Sequence, residues 1–227
     1  MVKMIKLGLV GCGNIGTKRL MSILKDKTVR IKYIVGPNKK TTNCKGEEWS
    51  KKIKCIFTKD INIILNSDVD AVILSTGPTL FKELGAKILK AKKHLLIEKP
   101  VTVVDADAKS LMEEIRSKGV VCQVGYNLRY FQSLRNFKNL IDEELIGKVY
   151  SIRCEVGQYL PSWRPGTDYR AGVSAQKYLG GGVLNELSHE IDYLQWIFGE
   201  INWVRGWCGK VSDLEIDVED LASITMG

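Results

Sequence analysis

The stretch Ile5-Lys6-Leu7-Gly8-Leu9-Val10-Gly11-Cys12-Gly13-Asn14-Ile15-Gly16 decides the fold. Its first half is a short apolar run of the kind that lies buried in a parallel sheet. Its second half has the spacing Gly-x-Gly-x-x-Gly and opens residues 14–25, which read as a helix. In that setting the glycines have separate tasks. Gly11 allows a tight turn, Gly13 lets the backbone approach a pyrophosphate, and Gly16 lets the helix pack close to the strand. Cys12, Asn14 and Ile15 fill the loop between them. The unpaired N–H groups at the helix start, with their partial positive charge, face the phosphates. The reading is the phosphate loop of a dinucleotide-binding βαβ unit. The motif alone leaves open a plain strand–helix turn with glycines for backbone reasons.

Outward from this loop, residues 31–35 read as a second strand ending at Gly36-Pro37-Asn38. A fold that takes NAD usually carries Asp or Glu there, about twenty residues past the glycines. This chain has Gly36 instead, followed by Asn38, Lys39 and Lys40. No carboxylate is present to accept the ribose hydroxyls or to repel a 2′-phosphate. The expected cofactor is NADP(H), with NAD as the alternative. Residues 39–54 are polar and read as irregular. A strand at 70–74 breaks at Ser75-Thr76-Gly77-Pro78, which puts Ser75, Thr76 and Pro78 beside the expected cofactor. Helices are expected at about 80–92 and 105–117, and strands at 95–97 and 120–124. Strands alternating with helices at this spacing imply a parallel, doubly wound sheet over residues 1–124.

A second motif, Glu98-Lys99-Pro100, follows the apolar run 95–97 and lands at the carboxyl edge of that sheet, where such folds do their chemistry. A lysine there can hydrogen-bond a hydroxyl or carbonyl oxygen and share its proton, and Glu98 can hold the lysine in place. Pro100 turns the chain sharply and admits a cis bond. The alternative is an exposed loop lysine.

The pattern changes near residue 125. A helix is expected at about 130–144, an alternating strand over 148–157, a loop rich in Pro, Gly and Trp over 160–166, a helix over 184–198, and strands near 201–210 and 218–226. This half, 125–227, reads as an α+β domain with a mainly antiparallel sheet. Because Met226-Gly227 falls inside an alternating run, the second domain is expected to be incomplete here. Within it, Asn185-Glu186-Leu187-Ser188-His189-Glu190-Ile191-Asp192 follows Gly180-Gly181-Gly182. On one helix, His189 would share a face with Asn185 and Glu186 on one side and Asp192 on the other. A histidine flanked by carboxylates can relay a proton. Without its glycine entry, the same residue reads as a structural helix-face histidine.

Composition sets limits. The apolar fraction is 44% and no apolar run approaches the ~20 residues that span a bilayer, so membrane insertion is not expected. The first residues lack a signal-peptide pattern, and a cytoplasmic protein is expected. Six scattered cysteines form no CxxC pair and only two histidines are present, so no metal centre is expected. The net charge of +8 is spread along the chain. It reads as a lysine-rich surface or as attraction for an anionic ligand, and no nucleic-acid motif accompanies it.

Taken in order, the glycine loop, residues 70–78, Glu98-Lys99-Pro100, Gly125-Tyr126-Asn127-Leu128-Arg129-Tyr130 and residues 180–199 resemble the glucose-fructose oxidoreductase and inositol dehydrogenase family, written Gfo/Idh/MocA. The resemblance implies an N-terminal Rossmann domain followed by an open, mainly antiparallel sheet domain. It implies NAD(P)-dependent hydride transfer at a ring hydroxyl or ketone of a sugar, amino sugar, cyclitol or nucleotide-sugar. It assigns Lys99 to the reacting oxygen and His189 to the proton, with Asp192 positioning the histidine or the substrate. Tyr126, Arg129, Arg170, Asn185 and Glu186 become candidate substrate contacts. The family aspartate four residues before the histidine is Asn185 here, and Glu186 is its candidate substitute. Members run longer than this chain and tend to form dimers or tetramers, so a homo-oligomer is expected at full length. Asp168-Tyr169-Arg170 with the triple glycine resembles members from surface-polysaccharide and acidic-sugar pathways. The competing readings are a non-catalytic nucleotide-binding or regulatory protein and an NADP-dependent reductase of a non-sugar small molecule.

Overall fold

The computed structural model describes residues 3–36 and 40–227, apart from the side chains of 40–44 and 105. The chain divides into two compact units, Met1–Gly125 and Tyr126–Gly227.

The first unit runs β1 (Ile5–Val10), α1 (Asn14–Ile23), β2 (Val29–Val35), α2 (Lys40–Ile53), β3 (Ile56–Thr58), α3 (Asn62–Leu65), β4 (Ala71–Leu74), α4 (Phe81–Lys90), β5 (His94–Ile97), α5 (Asp105–Lys118) and β6 (Cys122–Val124). All six strands are parallel, in the order β3-β2-β1-β4-β5-β6. This is the doubly wound order of a Rossmann fold, whose ligand crevice lies at the carboxyl ends of the strands where the winding reverses, here between β1 and β4. Successive residues of a strand point to opposite faces, and the core divides accordingly. Val10, Val35, Val72, Leu74, Leu95 and Ile97 pack on one side with Phe81, Ile88 and Leu89 of α4. Leu9, Ile34 and Ile73 pack on the other with Leu20 of α1.

The polar stretch expected to be irregular forms α2 from residue 40 onward. Its apolar face is narrow: Trp49 and Ile53 rest on the second core, and Gly46 clears Phe57, whose ring a Cβ there would approach to 2.6 Å. Tertiary contact overrides the weak local pattern. The short elements β3 and α3 carry no clear signal in the sequence. Asn38 and Lys39 lie outside the described residues.

The second unit holds α6 (Gln132–Asp142), α7 (Val183–Glu186), α8 (Ser188–Phe198), and the antiparallel pair β7 (Val204–Gly209) and β8 (Leu221–Met226). Two expectations are corrected here. Residues 148–157 form no strand: among the described residues no neighbour takes up their backbone groups, and Tyr150 is 86% exposed. The helix expected over 184–198 is two helices, broken at Leu187. The unit is held by α6 against α8, where Phe137 meets Phe198 edge-on at 6.3 Å and the Lys138 ammonium lies over the Trp196 ring. The segment before β8 adds further ties. Asp217 N–H donates to the Ala175 carbonyl, and the Asp220 carboxylate gathers Val211 N–H and the Ser212 hydroxyl. Among the described residues no helix is long and apolar enough to cross a membrane.

Candidate functional site

In the first unit, the glycine loop joins β1 to α1 at the winding reversal. Gly11 N–H donates to the Val35 carbonyl at 2.9 Å. Its φ is +92°, and a Cβ there would lie 2.6 Å from the Ser75 carbonyl oxygen, so only glycine fits. A Cβ on Gly16 would overlap the Gly11 carbonyl. Gly13 caps α1 in an extended conformation and offers no side chain to the helix. The N–H groups of the first turn, starting at exposed Asn14 and Ile15, are therefore not covered by a capping group. Cys12 is fully buried beside Thr17, and burial pushes its thiol pKa up.

On the β4 side, Ser75 N–H donates to the Val10 carbonyl at 2.8 Å. The Ser75 hydroxyl is buried and, among the described residues, has no hydrogen-bond partner. Thr76 follows, and Pro78 starts a single 3-10 turn. Gly36 is buried, its N–H donating to the Thr58 carbonyl. Lys45 of α2 reaches across to Asn14 Oδ1 at 3.4 Å; this residue escaped the sequence reading because its segment was read as irregular. Two positions where no Cβ fits, an uncapped helix start and an orphaned buried hydroxyl together fit the pyrophosphate of a dinucleotide.

Lys99 is half-buried just past β5, and the Lys99–Pro100 peptide is cis. The backbone before it is tied down: Glu98 N–H donates to the Leu74 carbonyl at 3.2 Å. Glu98 was expected to hold Lys99. Its carboxylate is instead gripped by Arg19 of α1, with Nε at 2.6 Å and Nη2 at 3.0 Å, and Nη2 also reaches the Gly125 carbonyl at 3.3 Å. The hydrogen bond to Glu98 raises the Arg19 pKa against the effect of burial. The sequence carried no signal for this pair, which joins residues 79 apart.

In the second unit, the Tyr126 ring meets His189 of α8 edge-on, with centroids 5.5 Å apart. Asp192, three residues on in the same helix, was expected to orient His189. Its carboxylate takes a fork from Arg129, Nε at 2.8 Å and Nη2 at 2.6 Å, and its side chain is only 9% exposed. Arg129, expected at the substrate, is thereby engaged with Asp192. Asn185 and Glu186 stand in α7, across the Leu187 break from His189. Asn185 Nδ2 donates to the Gly181 carbonyl at 3.3 Å, and Glu186 accepts from the Ser174 hydroxyl at 2.9 Å. Exposed Arg170 is paired with Asp168 and Glu215, which raise its pKa. Among the described residues no cluster of three or more His, Cys, Asp or Glu could hold a metal ion.

Comparison with known proteins agrees with this arrangement. Residues 5–126 match the family described as "Oxidoreductase family, NAD-binding Rossmann fold", and residues 134–227 match the "GFO/IDH/MocA C-terminal domain". The chain belongs to the Gfo/Idh/MocA oxidoreductase family. Among its relatives is the 2,7-anhydro-N-acetylneuraminate hydratase of Escherichia coli, 27% identical over 87% of this chain and 50% of that one. Another is the myo-inositol 2-dehydrogenase of Thermotoga maritima, 26% identical over 86% of this chain and 55% of that one. The chain thus spans about half the length of these curated relatives. In fold it is similar to the WlbA dehydrogenase of Bordetella pertussis, solved with NADH and UDP-GlcNAcA, at a TM-score of 0.82 and 20% identity, covering 99% of this chain and 63% of that one.

Proposed function

We propose that the protein is an NAD(P)-dependent oxidoreductase that moves a hydride between a nicotinamide and a ring hydroxyl or ketone of a sugar, amino sugar, cyclitol or nucleotide-sugar. The observation that carries this is the uncapped glycine loop beside the orphaned Ser75 hydroxyl, with Lys99 on the same carboxyl edge of the sheet. A relative named for myo-inositol oxidation and a fold neighbour holding a nucleotide-sugar support the substrate class.

When bound, the nicotinamide donates or accepts the hydride. The N–H groups at the start of α1 and the Ser75 hydroxyl hold the dinucleotide. Lys99 donates a hydrogen bond to the reacting oxygen and stabilises charge developing there. His189 gives or takes the proton, its ring braced by Tyr126 and its helix tied to Arg129 through Asp192. NADP(H) is the favoured cofactor, because Gly36 offers no carboxylate against a 2′-phosphate and Lys45 stands at the loop. The partners proposed are a small sugar-like molecule and further copies of the same chain, in the cytoplasm.

A second reading comes from the relative named as a hydratase. In it, water adds at a sugar ring and the nicotinamide shows no net oxidation or reduction. Following nicotinamide absorbance alongside product formation separates the two.

The first test is titration with NADPH and NADH, read by nicotinamide fluorescence and tryptophan quenching. Tighter NADPH binding supports the reading; binding of neither breaks it. Lys45→Ala is expected to weaken NADPH about tenfold and leave NADH unchanged. Lys99→Ala is expected to lower turnover roughly 10²- to 10⁴-fold with cofactor affinity nearly intact.

A further inference from the structure

We infer that Arg19 is a positioning residue, holding Lys99 at a fixed place relative to the helix that receives the cofactor's phosphates. The inference rests on the reading of Lys99 given above. Arg19 stands six residues past the Gly13 cap, about 9 Å along the axis of α1. From there its fork reaches Glu98, just past β5. The sheet order puts β4 between β1 and β5, so the clamp ties the helix that follows β1 to the residue that follows β5, two strands that do not pair.

The clamp has the marks of a built feature. The two side chains are 26% and 13% exposed, so the pair is largely shielded from screening. A two-pronged guanidinium–carboxylate contact fixes orientation as well as distance, which a single ammonium cannot do. The second tie, from Nη2 to the Gly125 carbonyl, joins the end of β6 to the same point. Gly125 also makes the room: a Cβ there would overlap Glu98 Oε2 and lie 3.0 Å from Arg19 Nη2.

Glu98 is covalently next to Lys99, and its own N–H is tied to Leu74. With both side chain and backbone of Glu98 held, the start of the Lys99 backbone is fixed relative to α1. A misplacement of about 1 Å at a reacting centre costs roughly 100-fold in rate. Arg19 therefore acts through geometry and touches no reacting atom.

The test uses the intact chain and needs no substrate. Lysines are reductively dimethylated with ¹³C, the Lys99 resonance is assigned by its loss in Lys99→Arg, and its shift on adding NADH is followed by NMR. The intact protein is expected to show an NADH-induced shift at Lys99. In Arg19→Met that shift should fall to less than half, while the NADH dissociation constant stays within about threefold. Arg19→Lys should recover part of the shift. Glu98→Gln, which keeps the shape and removes the charge, and Gly125→Ala, which intrudes on the pair, serve where Arg19→Met fails to fold. A full shift in these variants overturns the inference and leaves the reading of Lys99 standing. Loss of the shift together with NADH affinity also overturns it, because the clamp then only maintains the fold. No shift in the intact protein with saturating NADH and none with saturating NADPH removes the reading of Lys99, and the inference with it.

Discussion

In the first unit Leu9, Val72, Leu74, Phe81 and Ile88 are at most 1% exposed, whereas β7 and β8 of the second leave Val204, Trp207 and Leu221 at 65%, 55% and 47%. Among the described residues, every buried apolar side chain except Ala175, Ile197 and Val218 belongs to the first unit. The parallel sheet is covered on both faces by the helices between its own strands, and so encloses two cores. The second unit has a single ribbon of two strands, an element marginal by itself. Its cohesion comes from α6 on α8 and from carboxylates: Asp192 on Arg129, Asp217 on Lys177 N–H, and Asp220 on Ser212. One half is held by burial, the other by one aromatic helix contact and polar ties.

The sharpest break of this comparison is Phe81→Ala, expected to cost about 3–5 kcal/mol in a urea unfolding midpoint. Arg129→Met comes next. It strands the nearly buried Asp192 carboxylate and is expected to cost about 1–3 kcal/mol, trimmed by the partial exposure of the arginine. Adding Asp192→Asn should recover most of that loss; a double variant no better than the single would show that the ion pair is not what holds α8. Trp207→Thr on the ribbon should stay within about 0.5 kcal/mol. An effect as large as that of Phe81→Ala would mean the ribbon is structural core. The smallest effect is chemical. Burial pushes the Cys55 thiol up to about 11 and also raises Cys12 and Cys122. At neutral pH these stay protonated, and the thiolate is the reactive form. Iodoacetamide mapped by mass spectrometry should therefore mark exposed Cys154 and Cys208 first, with labelling of Cys55 rising as pH climbs toward about 11.

The same contrast governs what the residues alone revealed. β1, the glycine loop, β4 and β5 were legible because each is a local pattern, an apolar run closed by glycine, serine or proline. α2 was not, because a segment with Lys45, Lys51, Lys52 and Lys54 shows almost nothing of the Trp49–Ile53 face that docks it. The alternation over 148–157 was real but insufficient, since a strand needs a neighbour and the described residues supply none. Lys99 in the first unit and His189 in the second could each be singled out from their company in sequence, but their neighbours' partners could not. Adjacency pointed Glu98 at Lys99 and helix spacing pointed Asp192 at His189. Each carboxylate went to an arginine, 79 and 63 residues away. Short spacing predicts who can meet; the tightest charge pairing is decided by the fold.

The order β3-β2-β1-β4-β5-β6 also bears on synthesis at the ribosome. β1, which precedes the other strands of its sheet in the chain, becomes an interior strand, and its second flank is paired only once Ala71–Leu74 has emerged. At roughly 5–20 residues per second, that leaves Ile5–Val10 with an open edge for several seconds or more. During that interval the open edge of this apolar run is an aggregation hazard. Nascent protein held before β4 emerges should be the stage at which chaperones engage it.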